Sequence, residues 1–451
     1  METLEKRPPL FTNRKLLNLT IPLALNSLMA IFMGAADSIM VSTAGATAVS
    51  AVSLVDSINN VFVTAFDAIP IGGSVVTSQY IGARQFDKAR QSVRQILYSG
   101  FTIAFLCAAL LMCLRKQVLT WIYGGIEQAV FDQAVTYFTI ILLSFPFVVI
   151  GCTCTATLRA MAKNRQAVTI TITVNLLNIV GNAIFIYGMK MGVAGAALST
   201  TLVRVLWCVW GLIAIRNKKL PVFLDKLLHI RFNWDIMKRV LRIGVSNGFE
   251  NALFYVGRLL VSSLIASLGT IYIAAFSVAQ TLNNFGWTLL AAFGTTGMTV
   301  IGQCIGAGEK EQARQNAKKL LLWSAIAAYV TFSLVFIFRN PLVKMFQFTP
   351  QELEAAAYYT GAAAALTLCA FYFMSFNPVS MFRAAGDIRY PFILAVSTMF
   401  IFRVGLSYLL CYVFHMGLMS VFLGMFADWF CRSILNTIRF RKGKWLDKKM
   451  I

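Results

Sequence analysis

Apolar runs about 20 residues long recur from one end of the chain to the other, and this limits the possible folds more than any other feature. A helix of about 20 residues matches the roughly 30 Å hydrocarbon core of a bilayer. Twelve runs stand out, centred near residues 30, 64, 104, 144, 177, 204, 253, 288, 328, 367, 402 and 427. They leave no room for a separate soluble domain. Backbone N–H and C=O groups in lipid have no water to bond and must pair within the segment, which favours helices. Transmembrane strands would read as short alternating segments, and the sequence has none. The expected fold class is therefore an all-α membrane protein of twelve transmembrane helices. Since 58% of the 451 residues are hydrophobic and 13% charged, most of the surface must face lipid.

The net charge of +22 could suggest nucleic acid as a partner, but the placement of the basic residues gives a different reason. With the N-terminus inside, 32 of the 40 Lys and Arg fall in segments on the cytoplasmic side, and five fall opposite: Arg115, Lys116, Lys190, Arg339 and Lys344. This positive-inside bias predicts a multi-pass inner-membrane protein with both termini cytoplasmic, and no nucleic-acid partner. The nine cysteines lie mostly in apolar runs without metal-ligand spacing, and Cys152-x-Cys154 is too short for a redox pair. No cleavage pattern precedes the first run, so that run itself is expected to direct insertion.

An internal repeat divides the chain. Residues 76–91 (VTSQYIGARQFDKARQ) match residues 300–315 (VIGQCIGAGEKEQARQ) at an offset of 224. At the same offset Ser53, Asn59, Asn60 and Gly73 recur as Ser277, Asn283, Asn284 and Gly297, and Arg159-Ala160 recurs as Arg383-Ala384. An even number of spans per unit makes both halves enter the membrane in one direction, related by an axis along its normal. The expected domains are an N-terminal six-helix bundle (1–215), a basic cytoplasmic linker (216–238) and a C-terminal six-helix bundle (239–451). In such carriers substrate binds between the halves near mid-membrane. Gly82 and Gly306, at the ends of the second and eighth runs, are expected to take a positive φ and close their helices.

Several segments together resemble the multidrug and toxic compound extrusion (MATE) family over nearly the whole chain. They are Pro22 with Asp37 in an AADS segment, SQYIGA after the second run, NLLNIVGNAIFIYG in the fifth, FENALFYVG in the seventh, GQCIGAG after the eighth and RAAGD before the eleventh. The resemblance implies secondary active antiport, in which small organic cations or other amphipathic solutes leave as Na⁺ or H⁺ enters. It implies no cofactor beyond the coupling ion, and a monomer in the bilayer. A duplicated twelve-span chain fits a major-facilitator carrier equally well, but the loop after the second run reads GARQFDKARQ instead of a Gly-x-x-x-Asp-Arg-type motif.

Ionisable groups at mid-membrane are costly and so are candidate functional sites. The acids are Asp37, Asp56, Asp67, Glu250 and Asp428; the bases are Arg204, Arg258 and Arg403. Asn26, Met33 and Asp37 share one helical face. In an apolar setting protonation and cation binding compete for one carboxylate, which is the essence of exchange. Asn175, Asn178 and Asn182 form a polar stripe that should face the bundle and could support Asp37. Glu250 matches the acid that the resemblance associates with cation coupling. The second family acid, eleven residues before Arg383, is replaced by Tyr372, leaving Glu250 without a second carboxylate for a Na⁺ cage. A Na⁺ near Glu250 or Asp37 and a proton both stay open as the coupling ion. Asp56 and Asp67, eleven residues apart, are further ion or substrate candidates. Tyr255 and Tyr372 are the aromatic candidates for a flat cation. Asp428 and Arg432 read as an i, i+4 ion pair, and Arg403 is expected to pair or snorkel.

An enzyme is disfavoured, since the two histidines, His229 and His415, fit neither a triad nor a metal site, and no phosphate-cradling loop is present. A lipid-linked precursor or polysaccharide flippase of the same superfamily is the alternative; it would need basic residues in the cavity, and the acids outnumber them.

Overall fold

In the computed structural model the chain is described for residues 8–224, 233–346 and 348–448. His229 and the middle of the 216–238 linker lie outside the described residues. Twelve long helices follow in order among the described residues: α1 (Asn13–Ser42), α2 (Ala46–Gly82), α3 (Phe86–Tyr123), α4 (Gln128–Leu142 with Phe145–Ala160), α5 (Asn164–Gly188), α6 (Gly192–Ile215), α7 (Trp234–Leu268), α8 (Thr270–Gly306), α9 (Lys310–Ile337), α10 (Pro350–Cys369 with Tyr372–Ala385), α11 (Arg389–Tyr412) and α12 (Met419–Lys442). No strand occurs among the described residues. Nine of the helices are individually long and apolar enough to cross a membrane, and α4 and α10 are so as bent pairs. In α12 the buried charges of Asp428 and Arg432 lower the mean hydropathy.

The bends have identifiable supports. The two parts of α4 meet at 47° and those of α10 at 54°. A broken helix frees carbonyls that lipid cannot satisfy, so neighbouring side chains must do so. At the α10 break Phe371 takes a left-handed φ of 51°. There Ser433 Oγ of α12 donates to Ala370 O at 2.5 Å, and Asn436 Nδ2 donates to Met374 O at 3.1 Å and Ser375 O at 3.0 Å. At the α4 break Arg204 of α6 donates to Ser144 Oγ at 2.7 Å.

The repeat is visible in the backbone turn by turn. The N-caps Gly45 and Gly269, 224 residues apart, have φ of 101° and 113°. The helix ends after α2 and α8 differ from the expectation for Gly82 and Gly306, which stay helical. The positive φ falls two residues later, at Arg84 (57°) and Gly308 (79°). The reason is a Schellman closure: Arg84 N donates to Ile81 O and Gln85 N to Tyr80 O, matched by Gly308 to Ile305 and Glu309 to Cys304. A second matched pair closes α4 and α10 at Ala162 (58°) and Gly386 (97°). By the next turn the offset has become 225, with Lys190 and Gly192 at 52° and 55° and His415 and Gly417 at the same two values. The C-terminal half has gained one residue. The π-type stretch of α11, Met399–Leu406, is eight residues long, against six in α5, Ala183–Gly188. Widened turns are how a helix absorbs an inserted residue.

The chain forms two compact units, one of Met1–Ala24 with Phe249–Ile451, the other of Leu25–Gly248. The division falls inside α1 and α7 at repeat-equivalent positions, Ala24 and Gly248. In the Leu25–Gly248 unit, Phe62, Phe66 and Phe145 cluster at centroid separations of 5.3–6.3 Å. The start of α7 runs along the end of α2, with Arg239 Nη1 donating to Tyr80 OH at 3.0 Å. Gly72 and Gly244 meet at the crossing: a Cβ on Gly72 would lie 2.6 Å from Val240 O and 2.9 Å from Gly244 N. Small residues let membrane helices approach backbone to backbone in this way. In the other unit, Phe332, Tyr372, Trp287 and Trp429 form the aromatic centre.

Candidate functional site

Within the Leu25–Gly248 unit the acids lie in two settings. Asp37 of α1 accepts a hydrogen bond from Asn182 Nδ2 of α5. Asn182 is buried at the turn where α5 widens, and its Oδ1 has no hydrogen-bond partner among the described residues. Asp56 of α2 accepts from Tyr137 OH of α4 at 3.2 Å and feels the charges of both Arg204 and Asp37. Arg204 is held by Ser144 and, at 3.3 Å, by Asn59 Oδ1. Asp37, Asn182, Asp56, Tyr137 and Arg204 thus make one polar cluster contributed by α1, α2, α4, α5 and α6. Asp67 is separate: the Cys152 thiol donates to it, and Arg159 lies within range of its charge.

Of the α5 stripe, Asn182 reaches Asp37, whereas Asn178 Nδ2 donates to Ser199 Oγ at 3.3 Å and Thr200 Oγ1 at 3.4 Å on α6. Half-buried Asn175 makes no side-chain hydrogen bond among the described residues. The stripe therefore divides between one residue at the acid cluster and one tying α5 to α6. Asn26 carries a buried Oδ1 without a partner among the described residues, at the repeat equivalent of Glu250.

In the other unit Glu250 of α7 is ion-paired with Arg383 of α10; the two side chains are 16% and 11% exposed. Asp428 is fully buried and paired with Arg432 at 2.7 Å, as the i, i+4 spacing predicts. Arg432 also donates to Thr398 Oγ1 and Ala395 O of α11. Tyr372 packs its ring at 4.6 Å from Phe376 and 5.1 Å from Trp429. Tyr255 is exposed on α7. Arg258 is also exposed.

Sequence reasoning missed the partners of these acids: Tyr137 for Asp56, Cys152 for Asp67 and Arg383 for Glu250. One signal was available, since Arg159-Ala160 and Arg383-Ala384 belong to the repeat, and each arginine lies beside an acid of its own unit.

A family model described as MatE matches residues 22–184 and 248–409. The uncharacterized transporter YisQ of Bacillus subtilis is 28% identical over 444 residues, covering 96% of this chain and 95% of that protein. A probable multidrug resistance protein NorM of Thermotoga maritima is 24% identical over 447 residues, covering 97% and 94%. Among solved structures, an outward-facing multidrug resistance MATE family transporter of the MOP superfamily aligns with a TM-score of 0.85 at 18% identity, covering 95% of this chain and 96% of that one. A MATE protein in a bent conformation aligns with a TM-score of 0.86 at 18% identity, covering 96% of each chain. At that identity the solved structures establish the fold.

Proposed function

The chain belongs to the MatE family of transporters, and from that premise we propose that it is a secondary active exporter moving small cationic amphipathic compounds out of the cell in exchange for H⁺ or Na⁺ by alternating access. The probable multidrug resistance proteins among its relatives support the cargo class. The positive-inside bias supports an inner-membrane location with both termini cytoplasmic.

One observation carries the coupling reading. Asp37 is held by a neutral amide, Asn182, whereas Glu250 and Asp428 are each held by an arginine. An amide can serve a carboxyl group in both of its protonation states. Its NH₂ donates to the carboxylate, and its carbonyl oxygen accepts from the protonated acid. An arginine, which only donates, would oppose protonation. The Asn182 oxygen that has no partner among the described residues could equally ligate a hard cation beside an Asp37 oxygen. Asp56 adds a second negative charge nearby, so the cluster favours taking up one positive charge, as a proton or as Na⁺. Cation uptake from outside and cargo release would then alternate at a site that cannot stay empty and fully ionised in an apolar surround. Asn175, Asn178, Asp67, Glu250, Tyr255 and Tyr372 stand in this reading as secondary ion or cargo contacts. Glu250 depends on opening its pair with Arg383.

The test is flux of a fluorescent organic cation in liposomes containing the purified chain, with a sodium or a proton gradient imposed separately. Asp37→Asn is expected to bring gradient-driven flux down to that of protein-free liposomes. Undiminished flux in that variant removes Asp37 from the coupling mechanism.

A further inference from the structure

A cavity of about 500 Å³ opens between the first two turns of α5 and the end of α6, within the Leu25–Gly248 unit. Small-molecule sites run to about 300–1,000 Å³, so this crevice has room for far more than one ion. Trp210 and Ile213 form an apolar wall and are themselves exposed. The rim is polar and basic. Neither Arg165 nor Gln166 makes a side-chain hydrogen bond or ion pair among the described residues. Asn217 Oδ1 accepts from Lys219 N at 3.0 Å, which leaves its NH₂ group as a donor. Lys163, Arg216, Lys218 and Lys219 are exposed close by in the chain, and no Asp or Glu occurs between Asp132 and Asp225. The counterpart in the other unit is closed. At offsets of 224 along α5 and 225 along α6, Gln166 corresponds to Tyr390, Trp210 to Leu435 and Lys163 to Asp387. There Tyr390 OH donates across to Leu435 O at 2.8 Å, and Asp387 accepts from Arg439 at 2.7 Å. One repeat bridges its crevice with a ring and neutralises it with an ion pair; the other leaves it open, with a lysine where the acid stands.

The crevice sits at a definite depth. From Trp210 to the end of α6 at Ile215 the axis rises about 8 Å, the level at which tryptophans mark a membrane interface, and the bias of the basic loops assigns this end to the cytoplasm. A ligand that suits it has an anionic head for Arg165, oxygen acceptors for the amide groups of Gln166 and Asn217, and an apolar body for Trp210 and Ile213. A phospholipid of the adjoining leaflet supplies all three. An ethanolamine or choline head would find no carboxylate on the rim among the described residues, so the complementary lipid is anionic. Arginine's planar fork matches a phosphate. We infer that the α5–α6 crevice binds an anionic phospholipid of the cytoplasmic leaflet, with its phosphate at Arg165 and an acyl chain along Trp210 and Ile213. Basic pockets between membrane helices on that side recognise anionic head groups in this way. Neither Asp37 nor Glu250 takes part, and the inference goes beyond the exporter reading without depending on it.

The experiment uses the full chain in phosphatidylcholine nanodiscs. Phosphatidylglycerol, phosphatidylethanolamine or phosphatidylcholine, brominated early in the acyl chains, is added as a minor component, and the tryptophan quenching that disappears in Trp210→Phe reports occupancy. Phosphatidylglycerol is expected to quench at a lower mole fraction than the other two. Arg165→Gln should weaken it about fivefold, the effect of one basic residue near a membrane surface. Gln166→Tyr, which copies the closed repeat without changing charge, should bring phosphatidylglycerol down to the level of phosphatidylcholine. Equal quenching by the three lipids in the unaltered protein overturns the inference, even where a variant fails to fold. Full preference for phosphatidylglycerol in Arg165→Gln or in Gln166→Tyr overturns it as well. Inorganic phosphate and glycerophosphoglycerol, each at the lipid's concentration and constant ionic strength, are expected to leave the quenching unchanged. Displacement of the brominated lipid by either would make this a site for a soluble phosphate and defeat the lipid assignment.

Discussion

The crossing of α2 and α7 at Gly72 and Gly244 permits a sharp test of how tightly the start of α7 is held in its unit. In Gly72→Ala the new methyl would meet three backbone atoms, Val240 O at 2.6 Å, Gly244 N at 2.9 Å and Gly244 Cα at 3.3 Å. In Gly244→Ala it would meet Ala68 O at 2.8 Å and Ala68 C at 3.3 Å. No rotamer can relieve contacts with backbone, so the helices must move apart by roughly half an ångström to an ångström. Overpacking of this kind costs about 1–3 kcal/mol. That corresponds to about a 5- to 150-fold shift in the equilibrium between the packed and the locally open crossing. Hydrogen exchange of the purified protein should show it as faster exchange in Ile236–Gly248 and Ala68–Gly82, with Lys310–Ile337 unchanged. The double variant should cost less than the sum of the singles, because once the helices have parted the second methyl finds room. Gly34→Ala is the control, since nothing lies within 4 Å of the added methyl. Full protection and unchanged thermal stability in Gly72→Ala would refute the backbone-to-backbone crossing.

Two further outcomes follow from the ion pairs and the helix ends. Glu250→Gln removes the charge that Glu250 presents to the part-buried Arg383 and is expected to destabilise by about 3 kcal/mol, the lower end of the range for a buried pair, measured by thermal unfolding in detergent. The double variant Glu250→Leu, Arg383→Met should recover most of that, and an unchanged melting temperature in the single variant would contradict the pairing. Ala162 holds the left-handed position that Gly386 occupies in the repeat, so Ala162→Gly should stabilise by about 1 kcal/mol, which a fall in melting temperature would contradict.

Hydropathy is a local property, and for that reason the twelve spans and the duplication could be read directly from the chain. The repeat at 76–91 and 300–315 reappears as paired backbone turns at Arg84 and Gly308. The turn itself falls two residues past the glycines that the pattern singles out, because it is fixed by the hydrogen bonds of Gln85 N to Tyr80 O and Glu309 N to Cys304 O, which residue type does not encode. Asp428 with Arg432 was legible because its geometry is set within a single helical turn. Asp37 with Asn182 and Glu250 with Arg383 join residues 145 and 133 positions apart, and no spacing rule encodes such a meeting. An amide near Asp37 was expected from the α5 stripe, but which of the three asparagines would arrive depended on the widened turn at Asn182. Arg403 was expected to find an acid or reach water. It is 7% exposed, with its guanidinium 5.1 Å from the ring centre of Phe254 and 5.7 Å from that of Trp429, while Asp428 is paired with Arg432.

The unit boundaries at Ala24 and Gly248 bear on ancestry. Each repeat lends its leading stretch to the body that holds the bulk of the other, as Leu10 N meeting Gln312 Oε1 at 2.9 Å and Lys319 Nζ meeting Asn13 Oδ1 at 2.8 Å illustrate. A half-length progenitor built to this plan would complete itself only by trading that arm with a second copy. Gene fusion would then have joined two partners already interlocked.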